Sequence, residues 1–411
     1  MAEEIGGVRV VEREGRGRAL VACRPLIGGE IVLKESSILL YSAFPLTTTT
    51  TASPYCAHCF RSLSSSSQEQ QSQQQQRQSS YSCPSCSQEV FCSLECYSVA
   101  SKKSHTPWAC QTLLRLRHSL SPHDPLDLHL QARFLVASYN LSLHSPDLFH
   151  SLLSLHGSSS DLSSAAHLLH PLLSPPPSSF SVDVSAALLA KDKLNAFGLM
   201  EPFSVDQGSN RSVRAYGIYP NASLFNHDCL PNACRFDYVD TVDTDITVRM
   251  IHDVPAGREI CLSYFPVNLS YRMRQRRLLE DYGFACDCDR CKVEANWSDR
   301  DRDPEEEEEE EEEEGNVIME EEEEKEGEEE VMEEDMAEAE EAERGDNSET
   351  EFPHAYFFVR YMCNRNNCGG TLAPLPPSLP SQSQLLRSPS SSSSDVVMEC
   401  NVCGNLQTQL L

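Results

Sequence analysis

Cysteines and histidines fall in this chain at metal-ligand spacing. Cys56-x2-Cys59 is followed by Cys83-x2-Cys86, Cys92-x3-Cys96 and His105-x4-Cys110. Zinc takes four ligands in a tetrahedron and prefers thiolate and imidazole. A pair separated by two to four residues supplies half a site, so four pairs make two sites. Cys286, Cys288 and Cys291 form a three-ligand set that wants a fourth. Cys363-x4-Cys368-Gly-Gly and Cys400-x2-Cys403-Gly make another four-thiol set, whose glycines permit the tight turn of a zinc knuckle. The other concentration of polar chemistry is Asn226-His227-Asp228-Cys229-Leu230-Pro231-Asn232. It packs two amides, an imidazole and a thiol around a proline, which fixes a rigid turn.

These residues need a scaffold, and the pattern of the chain supplies one. Residues 8 to 42 alternate apolar and polar and read as two or three short strands, with Glu14-Gly15-Arg16-Gly17-Arg18 between the first pair. Two glycines two apart let a backbone approach a ligand closely. Residues 111 to 195 repeat Leu at helical spacing, broken by Pro122, Pro125, Pro146 and Pro175-Pro176-Pro177, and read as three to five short helices. Glu259 to Tyr264 is strand-like, and Asn268 to Asp281 reads as a basic helix with a solvated arginine face. Cys23, Cys234 and Cys261 read as small buried apolar residues.

Length and charge bound the rest. A chain of 411 residues holds two or three domains. Residues 305 to 343 carry 26 Asp or Glu and one Lys, hence most of the net charge of −30, so the folded part is only mildly acidic. The Ser/Gln-rich stretch from Ser62 to Ser82 reads as a looped-out insert. The start, MAEEIGG, has no secretory pattern, and no apolar run approaches the ~18 residues of a membrane span. The expectation is a reducing compartment, where clustered thiols hold zinc more often than they pair as disulfides.

NHDCLPN, then GREICLSY ending at Tyr264, then YGFACDCDRC ending at Cys291 resemble the SET-domain protein lysine methyltransferases. The cysteine-rich N-terminal half resembles a MYND zinc finger. The chain as a whole therefore resembles the SET-and-MYND (SMYD) family, of the plant ASH-related type, over about residues 8 to 293. The resemblance implies an α+β fold. Its β-rich SET domain, with a pseudoknot, is split by a MYND finger and a helical insert and closed by a zinc-bound post-SET cap. The boundaries expected are 1–50 for the first part of SET, 51–110 for MYND and 111–195 for the helical insert. The catalytic SET core follows at 196–266 and the post-SET cap at 267–300. An acidic disordered segment at 301–350 and a four-cysteine zinc knuckle at 351–411 complete the chain.

The activity implied is methyl transfer from S-adenosylmethionine to a protein lysine ε-amine, of a histone in the first instance. A methyltransferase for non-histone proteins and a catalytically silent zinc-finger adaptor are the other readings. Carried over residue by residue, Gly15, Arg16, Gly17, Asn195, Asn226, His227, Tyr264 and Phe284 are the cofactor contacts. Tyr264 is also the catalytic tyrosine beside the methyl, and Phe197 and Tyr282 wall the lysine channel. Relatives tend to carry Arg and Asn where this chain has Glu14 and Arg16, and often a second glycine at Ala215. The carry-over at the first loop is therefore of the backbone. Zinc pairing follows the family: Cys56, Cys59, Cys92 and Cys96; then Cys83, Cys86, His105 and Cys110; then Cys229 with Cys286, Cys288 and Cys291. Three zinc ions are expected, with Cys363, Cys368, Cys400 and Cys403 as a candidate fourth site. The partners implied are a lysine-bearing protein such as a histone tail and a peptide for the MYND finger. No membrane partner or nucleic-acid-binding motif is expected, and the location is nucleus and/or cytoplasm.

Overall fold

Glycine and proline punctuate the first apolar runs into short antiparallel strands. The computed structural model describes residues 4–46, 53–63, 80–157, 163–173, 180–203, 212–240, 243–295, 357–358, 360–366, 368–377 and 396–409. The acidic run and most of the Ser/Gln-rich insert lie outside these. The chain divides into two compact units, Met1–Cys286 with Phe357–Leu411, and Asp287–Tyr356.

In the first unit, β1 (Glu4–Ile5), β2 (Val8–Arg13) and β3 (Gly17–Ala22) form an antiparallel sheet. The β2–β3 turn needs its glycines, because Gly15 and Gly17 sit at φ 74 and 66, where a side chain is strained. β4 (Ile31–Glu35) and β5 (Leu39–Ser42) follow. Residues 8 to 42 thus hold four strands where the pattern reads as two or three, since Pro25, Gly28-Gly29 and Ser36-Ser37 break the runs.

β6 (Tyr81–Ser82) pairs with β7 (Val90–Phe91), and α1 (Leu94–Ala100) and α2 (Pro107–Ser119) come next. Ser93 accepts from the Cys96 N–H at 3.1 Å and Thr106 from Ala109 at 3.3 Å. Each cap contributes about 1 kcal/mol. α3 (Leu126–His144), α4 (Pro146–Leu153), α5 (Ser163–Leu169) and α6 (Val182–Asn195) complete the helical layer. Pro107 and Pro146 open their helices, where a missing N–H is harmless. Leu116, Phe134, Leu135, Tyr139 and Leu188 bury together with Tyr41 and Ile218 of the adjacent sheet.

That sheet is β5, β9 (Val213–Ile218) and β8 (Ala196–Met200), in that order. A Cβ on Gly217 would stand 2.7 Å from the Tyr219 ring and from Leu40, so this glycine is obligatory. Ala215 fills core space at full burial, so the absent second glycine is accommodated. β10 (Asn226–His227), β11 (Ala233–Asp237), β12 (Ile246–Met250) and β13 (Cys261–Leu262) complete the SET-like half. β11, β12 and β4 form one sheet, and β10 pairs with β13 in parallel, Asn226 opposite Cys261 and His227 opposite Leu262. The segment before β13 also bonds β3: Ala22 N–H donates to Arg258 at 2.9 Å and Ile260 N–H to Leu20 at 2.8 Å. Threaded between two partners, it is regular for only two residues where six were expected.

α7 (Tyr271–Tyr282) is capped by Ser270 and ends at Gly283 with φ 76. Its arginine face is not all solvated: Arg274 turns inward and is fully buried. In the second unit, α8 (Asp289–Glu294) carries an i,i+4 ion pair between Arg290 and Glu294 at 2.6 Å. Back in the first unit, β14 (Leu372–Pro374), β15 (Val396–Cys400) and β16 (Leu406–Gln409) form a small antiparallel sheet. It packs on the outer face of β11 and β12 through Phe236, Ile251, Leu372 and Met398. The other face of the central sheet meets the main β core, with Leu33, Val248, Phe225 and Leu262. Cys234 and Cys261 are buried as expected, while Cys23 is only half-buried.

Candidate active site and zinc sites

The parallel pair of β10 and β13 joins the polar motif to the later strand-like run, and Asn232 locks them. Its Oδ1 accepts the Cys261 N–H at 2.9 Å and its Nδ2 donates to the Glu259 carbonyl at 2.8 Å. The Asp228 carboxylate accepts Leu230 N–H at 2.9 Å, which shapes the turn before Pro231. Upstream, the half-buried Glu35 carboxylate accepts the Asn221 and Ala222 N–H groups at 2.9 and 2.8 Å.

Within this frame His227 is buried, and both ring nitrogens are engaged. Nδ1 accepts the Tyr264 N–H at 3.2 Å, so Nε2 carries the proton and faces Cys229 Sγ at 3.3 Å. What His227 offers outward is backbone. Its carbonyl accepts from Arg16 at 2.9 Å, so the β2–β3 hairpin tip sits beside the motif. Nothing lies within 4 Å of a Cβ built on Gly15 or Gly17, which leaves open space at that tip.

Asn226 Nδ2 donates to Glu259 at 2.9 Å and to the Arg18 carbonyl at 3.2 Å. Glu259 also draws Arg16 and Arg13, each at 3.5 Å. Glu259 is no part of the motifs that mark the site in the sequence, where it only opens a strand-like run. Its signal was the excess of arginine at the hairpin tip, Arg13, Arg16 and Arg18, with two acidic neighbours, Glu12 and Glu14, pointing to no particular partner.

Aromatic rings line the approach. Tyr264 and Tyr282 stand 4.8 Å apart between ring centroids, and His227 lies 5.2 Å from Tyr264 and 6.5 Å from the exposed Phe284. The Tyr264 hydroxyl donates to the Phe225 carbonyl at 3.1 Å, so its oxygen keeps its lone pairs for another partner. Burial pushes the Tyr264 hydroxyl well above its ordinary value and raises that of Tyr282 too, so both stay neutral. Phe197 packs edge-on against Tyr219 at 5.8 Å, under the Arg235 guanidinium at 5.5 Å. Asn195 ends α6 with both amide hydrogens engaged, by the His156 carbonyl at 2.8 Å and the Lys191 carbonyl at 2.7 Å.

Cysteines and one histidine gather into sets of four. Cys56, Cys59, Cys92 and Cys96 form one set, and Cys83, Cys86, His105 and Cys110 a second, with ligand atoms of each set within 4.8 Å of one another. Cys363, Cys368, Cys400 and Cys403 form a third. Tetrahedral zinc with bonds of about 2.3 Å spaces its sulfurs about 3.8 Å apart. Cys59 and Cys92 are 3.7 Å apart, Cys83 and Cys110 3.8 Å, and Cys363 and Cys403 3.7 Å. His105 presents Nε2 to Cys83 at 3.4 Å. Burial pushes the Cys110 thiol up and carries Cys363 to about 11. Three or four thiolates in such a cage need a divalent cation, and these residues fit zinc. The first unit also holds Cys229 and Cys286 at 3.9 Å, with Arg274 Nε donating to Cys229 Sγ at 3.3 Å. Gln275 fixes the Cys286 backbone through its N–H at 3.0 Å and its carbonyl at 2.7 Å. A buried ion cluster, Glu89 between Arg117 and Arg133, ties the second finger site to α2 and α3.

A family model for the SET domain matches residues 17–265. The chain belongs to the SET-domain family. Histone-lysine N-methyltransferase ASHR2 of Arabidopsis thaliana is 52% identical over 419 residues, covering 97% of this chain and 95% of that one. Histone-lysine N-methyltransferase SMYD3 of Homo sapiens is 29% identical over 119 residues, 28% of this chain and 27% of that one. Among solved structures, the SET domain of LSMT bound to lysine and AdoHcy covers 69% of this chain and 53% of that chain, at 14% identity and TM-score 0.28. The SET match begins at β3 and ends at Phe265, just past Tyr264. α7, α8 and the C-terminal sheet lie beyond it.

Proposed function

We propose that this chain methylates a protein lysine, with a histone tail as substrate, and acts as a chromatin regulator in the nucleus. The observation that carries the reading is the parallel pairing of Asn226–His227 with Cys261–Leu262, which sets Tyr264 beside His227 and the Gly15-Arg16-Gly17 hairpin. The 52% identity to ASHR2, named as a histone-lysine N-methyltransferase, supports the substrate class.

S-adenosylmethionine supplies a methyl group on a sulfonium. Gly15, Arg16, Gly17, Asn226, the His227 backbone, Tyr264 and Phe284 would hold it, and Asn195 would contribute through its carbonyl oxygen. The hairpin tip has the space, and the side chains supply amide, guanidinium and aromatic contacts. The lysine must arrive as a neutral amine, although its ordinary pKa is about 10.4. Tyr264, Tyr282 and Phe197 form an apolar channel that disfavours the ammonium, and the cations Arg16 and Arg235 push the same way. Aromatic faces still suit an alkylammonium on entry. With its proton committed to the Phe225 carbonyl, Tyr264 presents an oxygen that accepts from the amine and orients it. Positioning of this kind supplies about 7–11 kcal/mol in favourable cases.

Cys229 and Cys286, 3.9 Å apart, would serve as ligands of a further zinc. The MYND-like finger takes a peptide partner. Calorimetric titration with S-adenosylmethionine tests the site. The wild-type chain binds one equivalent, and Asn226→Ala loses binding while its circular dichroism is unchanged. An unfolded Asn226→Ala, or one that binds normally, rejects Asn226 as a cofactor contact.

A further inference from the structure

We propose that the C-terminal four-cysteine module is a zinc-ordered brace that positions the substrate-channel wall of the SET core. The proposal rests on the reading of Phe197 as that wall.

The module is built for a metal. Cys363 and Cys403 approach to 3.7 Å, and Cys368 and Cys400 to 3.6 Å. A Cβ on Gly370 would collide with Cys400 Sγ, and Gly369 and Gly404 take φ 58 and 66, so three glycines serve the cage. With only the short strands β14, β15 and β16, it has too little core of its own to order without such a staple.

The residues beside the ligands reach the SET core. Asn401, next to Cys400, is gripped on two sides: its N–H donates to the Thr371 carbonyl at 3.0 Å, and its Oδ1 accepts the Thr371 N–H at 2.8 Å. Its remaining amide donates to the Arg235 carbonyl on β11 at 3.2 Å. Arg235 in turn donates to the Gly198 carbonyl at 3.0 Å and covers the Phe197 ring at 5.5 Å. The chain of contacts is therefore zinc cage, Asn401, Arg235, β8 wall.

A second link runs through Glu399, on the other side of Cys400. It accepts from Arg249 at 2.8 Å and from the Tyr238 hydroxyl at 3.2 Å. Arg249 is 2% exposed in the middle strand of the SET sheet and lies 3.8 Å over the Phe236 ring. A cation buried there needs a fixed counter-charge, and the module supplies it.

The test uses the full chain. Metal analysis of the wild type finds four zinc per chain, and Cys400→Ser loses one; unchanged stoichiometry overturns the metal assignment. Asn401→Asp keeps the acceptor for Thr371 but loses the donor to Arg235. Its zinc content and S-adenosylmethionine affinity stay at wild type while the KM for a lysine peptide rises about five-fold, as for one lost hydrogen bond. Phe197→Ala serves as the control. A KM change with Phe197→Ala but none with Asn401→Asp overturns the brace. No change with either overturns the channel-wall reading and the brace with it.

Discussion

At the residue scale, Glu259 anchors the Asn226 loop without being part of the motif. It takes the Asn226 amide and two hairpin arginines, so it aligns Asn226 and joins β2–β3 to β10. Two guanidiniums on one carboxylate leave positive charge at the hairpin tip, which suits the carboxylate end of an amino-acid cofactor. Glu259→Ala should weaken S-adenosylmethionine binding about ten-fold, and Glu259→Gln by less, since a neutral acceptor still holds Asn226. Equal losses in calorimetry would mean that charge alone matters. Asp192 offers a separate check. Half-buried, its carboxyl is pushed up by desolvation to about 7, opposed by the 2.6 Å hydrogen bond from Tyr41. A raised carboxyl favours the folded state while protonated, so that contribution is fully present below about pH 4 and is lost as pH rises through about 7. Asp192→Asn keeps the acceptor for Tyr41. Its melting temperature should gain on the wild type between about pH 4 and pH 7 and level off above, and a constant difference across that window would reject the titration.

The element scale separates what the chain spells out from what only packing decides. The zinc-ligand pairs were legible because ligand spacing is local and zinc geometry is strict, whereas their interleaving into sites came from the family resemblance. The parallel pairing of β10 with β13 was legible only through family resemblance, since about thirty intervening residues conceal it. The strand from Glu259 to Tyr264 shrank to two residues because β3 claims its first half. The inward turn of Arg274 was not legible, because nothing in α7 marks one arginine as the partner of a thiolate on a distant loop. Glu259 stayed hidden for the same reason: its arginine partners lie far back along the chain, in the hairpin. At this scale Cys229→Ser should release one zinc by metal analysis and weaken cofactor binding as well, because the ligand and His227 share one turn. Loss of zinc with cofactor affinity intact would separate the two.

For the whole molecule, the cores explain why a SET domain tolerates such interruptions. The helical layer has its own core against β5 and β9, the SET sheets have another, and the C-terminal module closes the outer face of β11–β12. Among the described residues, Arg16, Arg235 and Glu259 are charged groups that bond within the site. The account as a whole stands on one reaction. Wild-type chain incubated with S-adenosylmethionine and histone-tail peptides should add methyl groups to lysine, read by mass spectrometry, and Tyr264→Phe should slow this about 100-fold while still binding cofactor. A chain that binds the cofactor yet methylates no lysine, with Tyr264→Phe indistinguishable from wild type, would contradict it.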